Sequence, residues 1–149
     1  MASKMNGGLG RSPVHLLHRV SQVVEVIFQQ EIGDTDLTPR QLAVLTTVAE
    51  NEGLNQTSIV ERTGIDRSTL ADIVKRLVKK GLLQRRRTKQ DTRAYAVRLT
   101  EEGEKVLRAV GLVAKKVEQR IAQALGGSKE AFVETLQGMI DKLQPASAG

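Results

Sequence analysis

The sequence predicts a mainly α protein carrying one small β-hairpin, an α+β arrangement in which helices do most of the packing. Three observations lead there. Aromatic residues make up 2% of the chain and tryptophan is absent, while 40% of its 149 residues are hydrophobic. The core must therefore be built from Leu, Val, Ile and Ala, a palette suited to packed helices. Apolar residues recur at steps of three and four over most of the length, and only around residues 82–99 do they give way to two short β-capable runs with a polar link between them. A chain of this size can form one globular domain, or two small interlocked subdomains, with a real core.

Taken in order, residues 1–12 are Gly-rich and expected to be mobile. "PVHLLHRVSQVVEVIFQQEIG" places Leu16, Val20, Val23, Val24, Ile27 and Phe28 at helical spacing, which gives an amphipathic helix. "DLTPRQLAVLTTVAENEG" offers Thr38 as N-cap, Pro39 at the first helical position and Gln41 three residues after the cap, a capping box with a proline start. "NQTSIVERTGIDRSTLADIVKRLVKKG" reads as two short helices broken at Thr63, Gly64 and Ile65, the second capped by Asp66. In that second helix Leu70, Ile73, Val74, Leu77 and Val78 form one apolar stripe. The outward face is left with Arg67, Ser68, Ala71, Asp72, Lys75, Arg76 and Lys79.

Gly81 closes the helix, and "LLQRRR" with "AYAVRLT" form a hairpin joined by "TKQDTR". Alternation in the second strand assigns Tyr95, Val97 and Leu99 to an apolar inner face and Ala96 and Arg98 to the outer one. Thr100 caps a long helix whose Val106, Val110, Val113, Val117 and Ile121 want a partner helix. After Gly126 and Gly127, Ser128 begins a last helix lined by Phe132, Leu136, Met139, Ile140 and Leu143, and residues 144–149 form a flexible tail.

Charge is localised. Residues 62–98 hold 12 of the 23 Lys and Arg but 3 of the 17 Asp and Glu, a net of +9 within a chain of +6, so the remainder carries −3. A basic middle inside a mildly acidic frame is the footprint of a polyanion-binding surface. With no cysteine there is no disulfide scaffold, thiolate metal site or thiol redox sensor. His15 and His18 share a helix face, but two histidines without a placed carboxylate fall short of a metal site, so neither metal nor cofactor is expected. No Gly-rich phosphate loop and no nucleophile with a placed base can be assembled, which points away from catalysis. The opening residues lack a signal-type apolar block and no run is long enough to span a bilayer, so a soluble cytoplasmic protein is expected.

A helix-turn-helix, a short cap and a basic hairpin in that order describe a winged helix-turn-helix for double-stranded DNA, here residues 36–100. The second short helix fits the major groove, presenting Arg67, Ser68, Thr69, Asp72, Lys75 and Arg76 to base edges and phosphates. In the hairpin, Arg85, Arg86, Arg87 and Lys89 suit phosphates, and Arg93, oriented by Asp91, suits the minor groove. An architectural protein that binds DNA by charge without an effector is the competing reading.

The segments "LTPRQLAVL", "GIDRSTLADIVKRLVKKGLL" and "RRRTKQDTRAYAVRLTEEG", with their long flanking helices, resemble the MarR family of bacterial transcriptional regulators. Asp91, Thr92 and Arg93 match that family's Asp-x-Arg wing tip, while Gln90 stands where it often has proline. The resemblance implies a homodimeric repressor, residues 13–35 and 101–143 intertwining, with two recognition helices on a palindromic operator and a small-molecule effector bound between the dimerisation and DNA-binding regions. For the effector, polar positions on the apolar helices are few: His15, His18 and Arg19 would anchor an aromatic acid or its thioester, with Leu45 and Thr46 facing them.

Overall fold

Six α-helices and a two-stranded antiparallel sheet are present among the described residues of the computed structural model, 7–87 and 95–144. They are α1 (Pro13–Ile32), α2 (Pro39–Glu50), α3 (Gln56–Thr63), α4 (Arg67–Lys79), β1 (Leu83–Arg87), β2 (Tyr95–Leu99), α5 (Glu101–Ala124) and α6 (Lys129–Leu143). This is a mainly α fold with a β-hairpin wing, as the periodicity predicts.

The helices α1 to α5 each begin at a side-chain cap. The Thr38 hydroxyl accepts from the Gln41 backbone N–H at 3.1 Å, and the Gln41 side chain accepts from the Thr38 N–H at 3.2 Å, a reciprocal capping box. Asn55 caps α3, Asp66 caps α4 and Thr100 caps α5 through the same kind of bond. Ser12 caps α1, and Gly8–Arg11 in front of it form a turn of 3-10 helix, so order begins earlier than the glycine content of residues 1–12 suggests. Ser128 sits at the start of α6 without a side-chain cap bond.

The core gathers where α2, α3, α4 and the hairpin meet. Val44, Leu45, Ile59, Leu70, Val74, Leu77, Leu83 and Val97 are completely or almost completely buried there. Burying each such side chain contributes about 1.5–3 kcal/mol. Phe28 and Ile32 of α1 and Val110 and Val117 of α5 extend this core outward along the long helices. In contrast, α6 buries no residue within the subunit. Exposed apolar residues cluster on the same outer helices, with Val14, Leu17, Val20, Leu112, Ile140 and Leu143 in solvent.

One joint fixes the wing to both neighbouring helices. Gly81, at φ 77°, ends α4: its N–H donates to the Val78 carbonyl at 3.0 Å, and the Leu82 N–H donates to the Leu77 carbonyl at 2.9 Å. The Leu82 carbonyl then accepts the Thr100 N–H at 3.1 Å, and the Thr100 hydroxyl donates to the Gly81 carbonyl. Gly103, in the first turn of α5, lies directly on the Leu82 carbonyl, so close that a Cβ would collide with it.

Register in the hairpin pairs Leu83 with Leu99, Arg85 with Val97 and Arg87 with Tyr95. The Val97 N–H also donates to the Leu54 carbonyl at 2.8 Å, so Leu54 adds a single antiparallel rung to the free edge of β2. Two expectations for β2 are corrected. Ala96 is buried rather than outward, and Tyr95 is 40% exposed rather than inward. Alternation fixes which side of the sheet a residue takes, but the core beneath that side ends before it reaches Tyr95.

Candidate nucleic-acid interface and effector cleft

The outward face of α4 is set by its apolar stripe: Leu70, Ile73, Val74 and Leu77 are buried, which turns Arg67, Ser68, Asp72, Lys75 and Arg76 to solvent. Thr69 is half-buried. At the N-terminus of the helix the Asp66 carboxylate collects three bonds. The Thr69 hydroxyl donates at 2.6 Å, and the Thr69 N–H and the Ser68 hydroxyl donate at 2.9 Å each. These bonds, the Thr69 hydroxyl foremost, hold the Asp66 carboxyl at about 2, below its ordinary 3.8. The Ser68 and Thr69 hydroxyls are thus committed as donors to Asp66, which leaves their oxygens as acceptors. One turn on, Asp72 pairs with Arg76 at 3.0 Å, so its charge is balanced within the helix.

At the other end of α4, Lys80 donates to Asp36 at 2.8 Å, tying the helix to the segment that joins α1 and α2. That hydrogen bond and the lysine charge lower the Asp36 carboxyl below its usual range.

The hairpin presents Arg85, Arg86 and Arg87, all exposed, on β1. Arg86 and Arg98 look into a cavity of about 360 Å³ shared with Arg108, Glu52 and Glu104. Lys89, Asp91 and Arg93, assigned to the wing tip from sequence, lie outside the described residues. Tyr95 of β2, expected on the inner face, instead accepts a hydrogen bond from Arg87 across the sheet.

Two cavities adjoin on the other side of the molecule. One, of about 610 Å³, runs between α1 and α5 and reaches Phe132 of α6; its walls are apolar except for Arg19 and Arg120. The second, of about 380 Å³, lies between α1, α2 and α5 and is lined by Phe28, Leu42, Thr46, Thr47 and Glu118. Val24 and Ile121 belong to both. Arg120 also approaches Glu31 at 3.4 Å.

The expected effector anchors are thus redistributed. Arg19 lines the larger cavity and Thr46 the smaller. Leu45 is a correction: it is fully buried in the core and lines neither. The buried face of α2 takes Leu45 into the core beside Val44 and Val48, while Thr46 and Thr47 line the cleft. His15 is half-buried and His18 exposed, and neither lines these two cavities. Arg120, Thr47 and Glu118 were missed; their only signal is that they flank the apolar stripes of α5 and α2.

Comparison with known proteins agrees with this layout. Residues 37–95, from the end of the α1–α2 link to the start of β2, match the MarR family model. The structure of PcaV from Streptomyces coelicolor, solved with its natural ligand, superposes with a TM-score of 0.86 at 32% identity, covering 93% of this chain and 98% of that one. CouR of Rhodococcus jostii RHA1, a transcriptional repressor solved on a DNA duplex, gives 0.80 at 28% identity over 91% of this chain and 96% of that one. BpsR of Bordetella bronchiseptica, whose DNA binding is regulated by 6-hydroxynicotinic acid, gives 0.81 at 28% identity over 91% and 98%. With its helix-turn-helix, wing and long flanking helices all accounted for, the chain belongs to the MarR family and is a transcriptional regulator.

Proposed function

We propose that this regulator is a cytoplasmic repressor that binds a palindromic operator as a homodimer and is released by a small aromatic acid or its thioester. The observation that carries the DNA half is the outward face of α4, basic and hydrogen-bonding along its length and flanked by the arginines of β1. Arg67, Lys75 and Arg76 face phosphates and base edges, with Ser68, Thr69 and Asp72 tuning which bases are accepted. Arg85, Arg86 and Arg87 grip the backbone beside the helix, and Lys89, Asp91 and Arg93, assigned from the sequence alone, serve the minor groove.

The homodimer rests on α1, α5 and α6, whose exposed apolar residues the subunit itself does not cover. Residues 13–35 and 101–143 form this dimerisation region and residues 36–100 the DNA-binding region. A closed two-fold pair places two α4 helices on half-sites about one helical turn apart.

For the effector, the apolar groove carrying Arg19 and Arg120 suits an anionic group on an apolar body, held by charge-assisted bonds. The ligand-bound PcaV and the hydroxylated aromatic acid acting on BpsR support this class. Such a ligand must bind the DNA-incompetent arrangement more tightly than the competent one; a hundredfold preference weakens operator binding by up to about 2.7 kcal/mol.

The test is footprinting followed by a ligand screen. Protection of two half-sites, released by a phenolic or nicotinic acid in the unaltered chain but not in Arg19→Ala, is the expected result. Uniform protection governed by salt alone would point to an architectural protein. Release that survives Arg19→Ala would move the pocket.

A further inference from the structure

The outermost rung of the hairpin holds an arrangement that neither a core nor an ordinary surface requires. Tyr95 begins β2 directly opposite Arg87, which ends β1. It shares a face with Val97, which is buried, yet it keeps 40% of its surface in solvent. Beside it lies the Arg87 guanidinium, whose Nε donates to Tyr95 Oη at 3.3 Å and whose central carbon lies 5.7 Å from the ring centroid.

This geometry has a chemical consequence. Arginine grips a phosphate with a fork of N–H donors, and its long side chain loses much of its rotamer freedom on doing so. Here the Nε–H is engaged by the phenol oxygen and the plane is steadied by the ring, which leaves the terminal amino groups as the donors available to a third group. The arginine is ordered before any ligand arrives. Aromatic hydroxyl and ring together attract the cation without neutralising it, as a carboxylate partner would. Full positive charge is kept at a fixed point on the DNA-facing hairpin.

The geometry points to Tyr95 as a positioning residue for DNA binding, holding Arg87 in the pose that engages a backbone phosphate beside the wing. The inference rests on the DNA-binding reading above and deepens it. Tyr95 acts through Arg87, so its contribution vanishes when Arg87 is gone.

The experiment is a double-mutant cycle on a duplex that the unaltered full-length chain has selected from a random-sequence library, with affinity measured across a salt series. Arg87→Ala should flatten the dependence of log affinity on log salt by about one unit, the signature of one lost phosphate contact. Tyr95→Leu should leave that slope unchanged and weaken binding about two- to tenfold, the range of an exposed cation–π contact with one hydrogen bond. Tyr95→Phe, which keeps the ring, should give a smaller loss. On the Arg87→Ala background, Tyr95→Leu should have no further effect. A Tyr95→Leu loss that persists undiminished without Arg87 would make the tyrosine a hairpin strap or a direct contact, and would overturn the proposal. So would unchanged affinity in Tyr95→Leu.

A second readout needs no variant. Tyr95 is the only tyrosine and tryptophan is absent, so near-ultraviolet-excited emission from the chain reports this side chain. Adding the selected duplex should protect that emission from a soluble quencher such as acrylamide. Unchanged quenching in the presence of saturating duplex would place the rung away from DNA and overturn the proposal while leaving the DNA reading intact. Failure of the unaltered chain to select any duplex would overturn both.

Discussion

At Asp66 one carboxylate organises the first turn of α4. It caps the helix and engages the hydroxyls of Ser68 and Thr69, so its loss should act on stability and, on the DNA-binding reading proposed above, on base preference as well. Because its folded-state value is depressed, its stabilising contribution is complete above the ordinary 3.8 and is lost as pH falls through about 2. Thermal unfolding followed between pH 5 and pH 2 should show an acid-side loss that Asp66→Asn reduces. An unchanged profile in that variant would assign the loss to other carboxylates. Gly103 is a different kind of residue, selected by space. In Gly103→Ala the new methyl meets the Leu82 backbone carbonyl, which cannot swing aside as a side chain would. Overpacking of this sort costs about 1–3 kcal/mol, so the melting temperature should fall by several degrees. A neutral substitution would mean that α5 shifts freely on the wing.

Among the elements, α4 depends most on its buried stripe. Leu70→Ala removes a fully buried side chain from the meeting point of α2, α3 and α4 and should destabilise the chain by about 2–5 kcal/mol in denaturant titration. The elements were legible in the sequence because their signals are local. Thr38, Asp66 and Thr100 announce helix starts through side-chain oxygens that reach only three residues ahead, and Gly81 announces a helix end because its φ of 77° strains other residues. What stayed hidden depends on contacts far along the chain. Period two assigns Tyr95 a side, but only the extent of the core decides whether that side is covered. The Leu54 rung on β2 joins residues more than forty positions apart, and no local pattern foretells it. For the cleft, the stripe on α1 was legible, while the choice between Leu45 and Thr46 turned on the rotation of α2 against it.

For the whole molecule, the division of labour between a self-sufficient core and uncovered outer helices predicts separable defects. Removing residues 129–149 deletes a helix that buries nothing within its own subunit. The shortened chain should keep a cooperative unfolding transition and the helical signal of the remainder, yet sediment as a monomer, whereas the full chain should sediment at twice 16.3 kDa. Operator affinity should fall with it, because one half-site alone then has to hold the protein. A shortened chain that remains dimeric would place the subunit contact on α1 and α5 without α6.

The joint at Leu82 gives this assembly its mechanics. The last turn of α4, the root of the wing and the first turn of α5 meet on the two peptide units that flank Leu82, through hydrogen bonds and the Gly103 contact. No slack separates them. At 1.5 Å per residue the 24-residue α5 is a lever about 36 Å long, with the cleft around Glu118 and Ile121 near its far end. A wedge there that swings the helix by about 5° displaces points some 25–30 Å away by roughly 2–3 Å, by simple rotation of a rigid rod. That displacement is comparable to a hydrogen-bond length. In a molecule so jointed, a tilt of α5 would carry the end of α4 with it, and nothing would have to unfold or loosen on the way.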